Sequence, residues 1–310
     1  MADISSSHDS FFRSVLSDSR IAMDYFRSAL PEHIIKLLDF TTLERVPDSY
    51  VSGELEKTMS DVVYTCRRND RKGNVSVCLL VEHKSAPDKN TPVQVGGYLF
   101  SGYQLQIKGK KKQLSPIIPV LFYHGKRRWE YWTLDRLFDG LGEELLGFIP
   151  TFEYVYHNLR DTPETAIRMI GNQFLVSALL TLKYAFDKRR LKEHFQDILE
   201  VGLAEGDDNQ QIALLIYSLS RVDYTEEQIR EIADALPFTI KDKVMRSTYD
   251  LLIEKGIEQR IERGIEQGKA TVVANLIQQL GLDDKAVAGI AEVPIDFVHK
   301  VRAELHKKKK

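Results

Sequence analysis

Cysteine is nearly absent. Cys66 and Cys78 are the only two in 310 residues, and both lie in apolar, strand-like runs. No disulfide framework follows from two such thiols. The eight histidines add no paired Cys/His spacing of the kind that zinc requires. The thiols read as small core side chains in a reducing compartment. Long apolar runs are also missing. The best, Phe174–Leu182, is interrupted by Ser177 and falls far short of the roughly 20 residues needed to span a bilayer. The first residues, Met1 to Ser7, carry neither a basic nor an apolar stretch, so a signal peptide is not expected and the cytoplasm is the expected compartment. The absence of a GxxxxGK[ST] loop argues against a P-loop ATPase.

What is present is an ordinary globular composition, 43% hydrophobic and 28% charged, in a chain long enough for about two domains. The net charge of −2 hides an asymmetry. Ser101 to Arg128 holds seven basic residues (Lys108, Lys110, Lys111, Lys112, Lys126, Arg127 and Arg128) and no acid, so the remainder carries −9. Such a segment is either a solvated loop or a footprint for a polyanion. Ser7 is expected to cap a helix burying Phe11, Phe12, Val15 and Leu16. Pro31 should open another, with Ile34, Ile35, Leu37 and Leu38 as its apolar residues. A helix is expected from Pro92 to Gln106. Ile117–Tyr123 reads as a buried strand in which Pro119 asks for an edge position or a strand start. From about Thr162 the spacing turns helical: Ala166–Phe186, Leu191–Leu203, Gln210–Leu219 and Glu226–Leu236.

The most informative stretch changes period to two. Asp61–Cys66 and Val75–Glu82 are rich in β-branched and apolar residues, with the polar Asn69–Asn74 between them, which predicts a hairpin. With Asp70–Gly73 as the tip, Val63 faces Leu80, Thr65 faces Cys78 and Asp61 faces Glu82. Alternation puts Lys84 on the face of Glu82 and turns His83 away. Opposed like charges repel at about 5 Å between Cβ atoms, and a divalent cation compensates them well. A metal held there could polarise a phosphodiester while Lys84 positions the attacking water. An exposed hairpin end that merely solvates its charges is the competing reading. The apolar Val62, Tyr64, Val77, Leu79 and Val81 favour a central hairpin instead.

Four short texts then stand in order: His8-Asp9-Ser10-Phe11-Phe12, Ser60-Asp61-Val62-Val63-Tyr64, Leu80-Val81-Glu82-His83-Lys84-Ser85 and Val120-Leu121-Phe122-Tyr123-His124-Gly125. Together with the C-terminal Gly-Ile-Glu-Gln repeats, they make the chain resemble the Rpn-type recombination-promoting nuclease/putative transposase family of the PD-(D/E)XK nuclease superfamily. The resemblance runs over most of the chain and is strongest over residues 8–138. It implies an α/β fold, a restriction-endonuclease-like mixed sheet flanked by helices and followed by an all-helical C-terminal region. It also implies Asp61 and Glu82 as Mg²⁺ ligands, Lys84 as the third catalytic residue, and the His83 carbonyl as a further metal contact. Gln94 sits where many superfamily members carry a helical glutamine, and Asp9, ahead of Glu32, is the candidate upstream acid. Ser60 departs from the proline usual before the aspartate.

The expected organisation is a nuclease domain over 1–160, a helical region over 161–250, and a long helix with a small helical pair over 251–310. Ile253, Ile257, Ile261 and Ile265 recur every four residues, and with Gly256, Gly264 and Gly268 they suggest a homodimer joined through residues 251–280. Packing within the chain would serve the stripe equally. The last helix pair has the length of a helix-turn-helix, but its net charge of +2 does not identify a DNA reader. His8 and His124 are expected to be structural, and Trp129 and Trp132 to be core rather than base-stacking platforms. Two functions remain: a Mg²⁺-dependent DNA endonuclease linked to recombination or mobile-element conflict, and a non-catalytic DNA-binding or regulatory module on the same fold.

Overall fold

The computed structural model describes residues 4–46, 62–69, 76–110, 113–140, 142–222, 224–234, 268–278 and 282–308, with the backbone alone over 4–7 and 76–82 and at 226, 233, 304 and 306–308. They fall into two compact units, Met1–Val244 and Met245–Lys310.

The first unit is built on a five-stranded mixed sheet, β1 (Leu38–Arg45), β2 (Val62–Arg68), β3 (Ser76–Lys84), β4 (Ile117–Tyr123) and β5 (Val155–Asn158), in that order across the sheet. β1–β2 and β2–β3 are antiparallel; β3–β4 and β4–β5 are parallel. The hairpin register is the one the sequence predicts, with Val62 opposite Val81, Val63 opposite Leu80 and Thr65 opposite Cys78. A polar tip and strict alternation leave little freedom, because a slip of one residue would turn every apolar side chain to the wrong face.

Helices cover both faces. On one side lie α1 (Ile4–Val15), α2 (Ser19–Ala29) and the one-turn α3 (Glu32–Ile35). There Phe12 of α1 stacks on Phe122 at 4.2 Å between ring centroids and Tyr25 of α2 meets Phe122 edge-on. On the other side α4 (Thr91–Lys108) packs Val95, Tyr98 and Leu99 against Ile117, Leu121 and Tyr123. A Cβ on Gly102 would lie 2.5 Å from the Ile117 side chain; glycine there lets α4 sit close to β4.

Several boundaries differ from expectation. α1 starts at Ile4, so Ser7 lies inside the helix rather than capping it. Pro31 precedes α3, which stops after a single turn because Leu38 and Phe40 enter the core as part of β1. Pro119 is neither at an edge nor first in its strand. It is the third residue of β4, opposite Leu80, just ahead of Val120 where pairing with β5 begins. The stretch from Ala166 divides into α6 (Glu164–Arg168) and α7 (Gln173–Tyr184), after the short α5 (Glu143–Leu146). The first ends at Arg168 with Met169 as its C-cap, and the Asn172 side chain caps the second by accepting from the Leu175 N–H at 2.8 Å.

α7 is followed by α8 (Lys188–Glu205), α9 (Asp208–Arg221) and α10 (Glu226–Asp234). These helices belong to the same unit as the sheet. Phe11 of α1 stacks on Tyr217 of α9, 4.1 Å apart and 6° from parallel.

In the second unit, the helix 268–278 (α11), α12 (Asp284–Ile290) and α13 (Ile295–Lys308) enclose Val273, Val287, Val293, Val298 and Val301. Asp283 caps α12 through the Ala286 N–H. The isoleucine stripe from Ile253 to Ile265 lies outside the described residues, as does most of the segment expected to join two copies. Among the described residues, no helix is long and apolar enough to cross a membrane.

Candidate active site at the end of β3

Lys84 is the last residue of β3, level with Tyr123 on β4. Tyr123 packs with α4, so parallel register puts Lys84 on the α4 face too. There its ammonium donates to Gln94 Oε1 at 2.8 Å and lies 3.7 Å from Asp88 Oδ2. Gln94 stands in the first turn of α4, whose start is set by Pro92. The structure therefore joins two of the sequence-predicted site residues, Lys84 and Gln94, by a hydrogen bond. The backbone of Glu82 is level with Leu121 on β4, and its side chain lies outside the described residues. Asp61 lies outside the described residues.

Asp9 goes elsewhere. His83 points to the opposite face and is buried, and its Nδ1–H donates to the Asp9 carboxylate from α1. The upstream acid thus approaches β3 from the side away from Lys84. Around His83 three imidazoles pack together. His83 and His124 stack at 4.8 Å, and His8 meets His124 at the same separation. Burial, aided by the Arg221 charge, lowers the His8 pKa to about 3. Burial, with His83 and His8 adding to it, drives that of His124 well below the usual range. Both rings are therefore neutral at physiological pH. His8 shares a 2.5 Å hydrogen bond with the Tyr217 hydroxyl, and His124 Nδ1 donates to the Leu182 carbonyl. As expected, these histidines are structural. Trp129 is core, edge-on to Tyr123 and Tyr156. Cys66 is a buried free thiol whose pKa burial raises to about 11, which removes it as a nucleophile.

The loop after β4 returns close to β3. The His124 N–H donates to the Lys84 carbonyl at 3.3 Å, and a Cβ on Gly125 would collide with the Ser85 carbonyl. One arrangement escaped sequence reasoning. Lys183 of α7 donates to the carbonyls of Leu159, Arg160 and Thr162 at 2.7 to 2.9 Å. Arg160 in turn donates to the carbonyl of Lys126. Backbone acceptors carry no side-chain signature, so no motif points to this latch.

A mixed sheet with helices on both faces, and a lysine–glutamine pair at the end of its parallel strands, defines an α/β fold of the nuclease type. The chain belongs to the YhgA-like putative transposase family, which its residues 6–213 match. It is similar to recombination-promoting nuclease RpnC of Escherichia coli K12, 24% identical over 300 residues that cover 95% of this chain and 96% of the relative. It is also similar to the inactive recombination-promoting nuclease-like protein RpnE of the same strain, 26% identical over 85% of this chain and 91% of the relative. RpnD of Escherichia coli O157:H7 is 30% identical over 42% of this chain and 50% of the relative. No solved structure matches the chain.

Proposed function

We propose that the chain is a Mg²⁺-dependent DNA endonuclease with Asp61, Glu82 and Lys84 as its catalytic set. The observation that supports this most is the β2–β3 ladder, in register up to Val62 opposite Val81, with Lys84 three residues beyond the ladder and hydrogen-bonded to Gln94. One further step of the same register would bring Asp61 opposite Glu82. Two facing carboxylates are hard oxygen donors of the kind that magnesium takes. Asp61 and Glu82 would hold such an ion. Bound there, the ion would supply Lewis acidity toward a phosphodiester.

The chain's own contribution centres on Lys84. Its ammonium, anchored by Gln94 and steered by Asp88, has a fixed direction from which to orient a water and to meet the charge that develops on phosphate oxygens. Asp9 acts at one remove, by fixing the ring of His83 and with it the backbone on which Glu82 and Lys84 sit. A role in recombination follows the names of the relatives. Breaking both strands would take two such sites, which a homodimer joined through residues 251–280 would supply.

The competing reading, a DNA-binding module without catalysis, has one observation in its favour: a relative covering most of the chain carries the word inactive in its name. Purified protein incubated with supercoiled plasmid separates the two. Nicking with Mg²⁺, none with EDTA, and none from Asp61→Ala or Glu82→Ala supports the nuclease. Equal nicking by both variants, prepared metal-free, overturns the site.

A further inference from the structure

The latch described above frames a pocket of about 420 Å³ that the proposed catalytic set does not use. Its lining comes from the loop after β4 (His124 to Lys126), from Arg160 after β5, and from the α7–α8 turn, where Lys183, Phe186, Asp187 and Lys188 stand. Four of these are cations and one is an acid, and that acid is engaged as the N-cap of α8, accepting from the Arg190 N–H. Lys183 is spent on three carbonyls, which holds the 159–162 loop. Arg160 bonds the Lys126 carbonyl, which holds the second loop. Basic side chains on backbone pinned in this way form a preorganised anion site.

Two further features say which anion. Phe186 is 36% exposed although its ring stacks on His124 at 5.3 Å and 27°, so an aromatic ring reaches the pocket backed by a second ring. His124, itself 2% exposed, keeps its Nε2 buried without a hydrogen-bond partner. A simple inorganic anion has no use for an aromatic wall. A nucleotide has both a phosphate for the lysine–arginine rim and a base for the ring, and its size suits a cavity of this volume.

We propose that this pocket binds a nucleotide, its phosphate on Lys126, Arg160 and Lys188 and its base on Phe186. The ligand is either one unit of a single DNA strand or a free mononucleotide. The pocket adjoins the end of β3 through the His124–Lys84 backbone hydrogen bond. For a strand, the inference rests on the nuclease reading; the pocket itself does not.

The test measures binding in EDTA, where cleavage cannot contribute. A fluorescein-labelled 12-mer of single-stranded DNA is followed by anisotropy over a salt series, and dAMP by calorimetry. Lys126→Ala/Lys188→Ala should weaken oligonucleotide binding about tenfold and flatten its log–log salt slope by about 1.4, the value for two lost phosphate contacts on a single strand. Phe186→Ala should weaken binding by a similar factor, and Phe186→Trp should restore it. If dAMP binding is lost in these variants while the oligonucleotide is unaffected, the ligand is the free nucleotide. Wild-type affinity for both probes and an unchanged salt slope in the double variant overturn the pocket. Since Lys126 and Lys188 are exposed, misfolding does not confound that result. A wild-type protein that binds here and never nicks DNA in Mg²⁺ defeats the nuclease reading and leaves the pocket standing.

Discussion

Gln94 offers the most direct test of how the proposed site works. Its Oε1 accepts from the Lys84 ammonium at 2.8 Å, and the Lys84 side chain is only 20% exposed. A hydrogen bond to a charged donor contributes about 1.5–3 kcal/mol. Asp88, at 3.7 Å from the same nitrogen, retains part of the hold on Lys84 when Gln94 is lost, so the lower end applies. If that energy fixes the ammonium where the transition state needs it, Gln94→Ala loses about 1.5 kcal/mol of transition-state stabilisation, roughly tenfold in rate. The assay is plasmid nicking at saturating DNA and Mg²⁺, with DNA affinity measured separately in EDTA. The expected outcome is a tenfold lower turnover with unchanged affinity, because one neutral side chain adds nothing to a phosphate footprint. Gln94→Glu keeps an acceptor at the same place and should stay within about threefold of wild type, on the same free-energy scale. Full turnover in Gln94→Ala would show that Lys84 is positioned without it, and would remove α4 from the mechanism.

Three shorter expectations accompany it. Tyr217→Phe leaves His8 with neither ring nitrogen partnered in a buried place and should cost about 1–3 kcal/mol; an unchanged urea midpoint would contradict the 2.5 Å hydrogen bond. The His8 pKa is lowered in the folded chain to about 3 from an ordinary value near 6.5, so the unfolded chain takes up the proton first as pH falls. Stability should therefore be independent of this group above pH 6.5 and decline between pH 6.5 and 3, by up to about 1.4 kcal/mol per pH unit. His157, lowered to about 4 by burial, adds to the same decline, and a flat melting temperature across that window would refute both. Gly102→Leu should unseat α4 from Ile117 and lower both stability and turnover; circular dichroism and nicking read the two effects.

The hairpin register could be read from the sequence because the polar tip and the alternation agree, and the expectation that Glu82 and Lys84 share a face rests on that register. The approach of Gln94 to Lys84 was carried only by family resemblance, since ten residues and a turn separate them. β5 was not legible. Val155 to Asn158 is four residues of mixed polarity whose partners, Val120 to Tyr123, lie some 35 positions earlier, so parallel pairing of the whole chain, not local preference, makes it a strand. β1 was hidden for a similar reason: its start was absorbed into an apolar run that resembled a helix. The pairing of Asp9 with His83 joins residues 74 apart, and only the packing of α1 on the sheet reveals it.

The contact between α1 and α9 has a consequence for the order of events on the ribosome. His8 and Tyr217 are 209 positions apart. At a synthesis rate of about 5–20 residues per second, α1 emerges some 10–40 s before its partner. During that interval Phe11 and His8 have no Tyr217 to pack on, and the aromatic side of α1 is open to water or to a chaperone. A nascent chain stalled before residue 217 should therefore expose this face, while one stalled once α9 has cleared the exit tunnel should bury it. Completion of the N-terminal helix is thus timed by a segment synthesised two-thirds of the way along the chain.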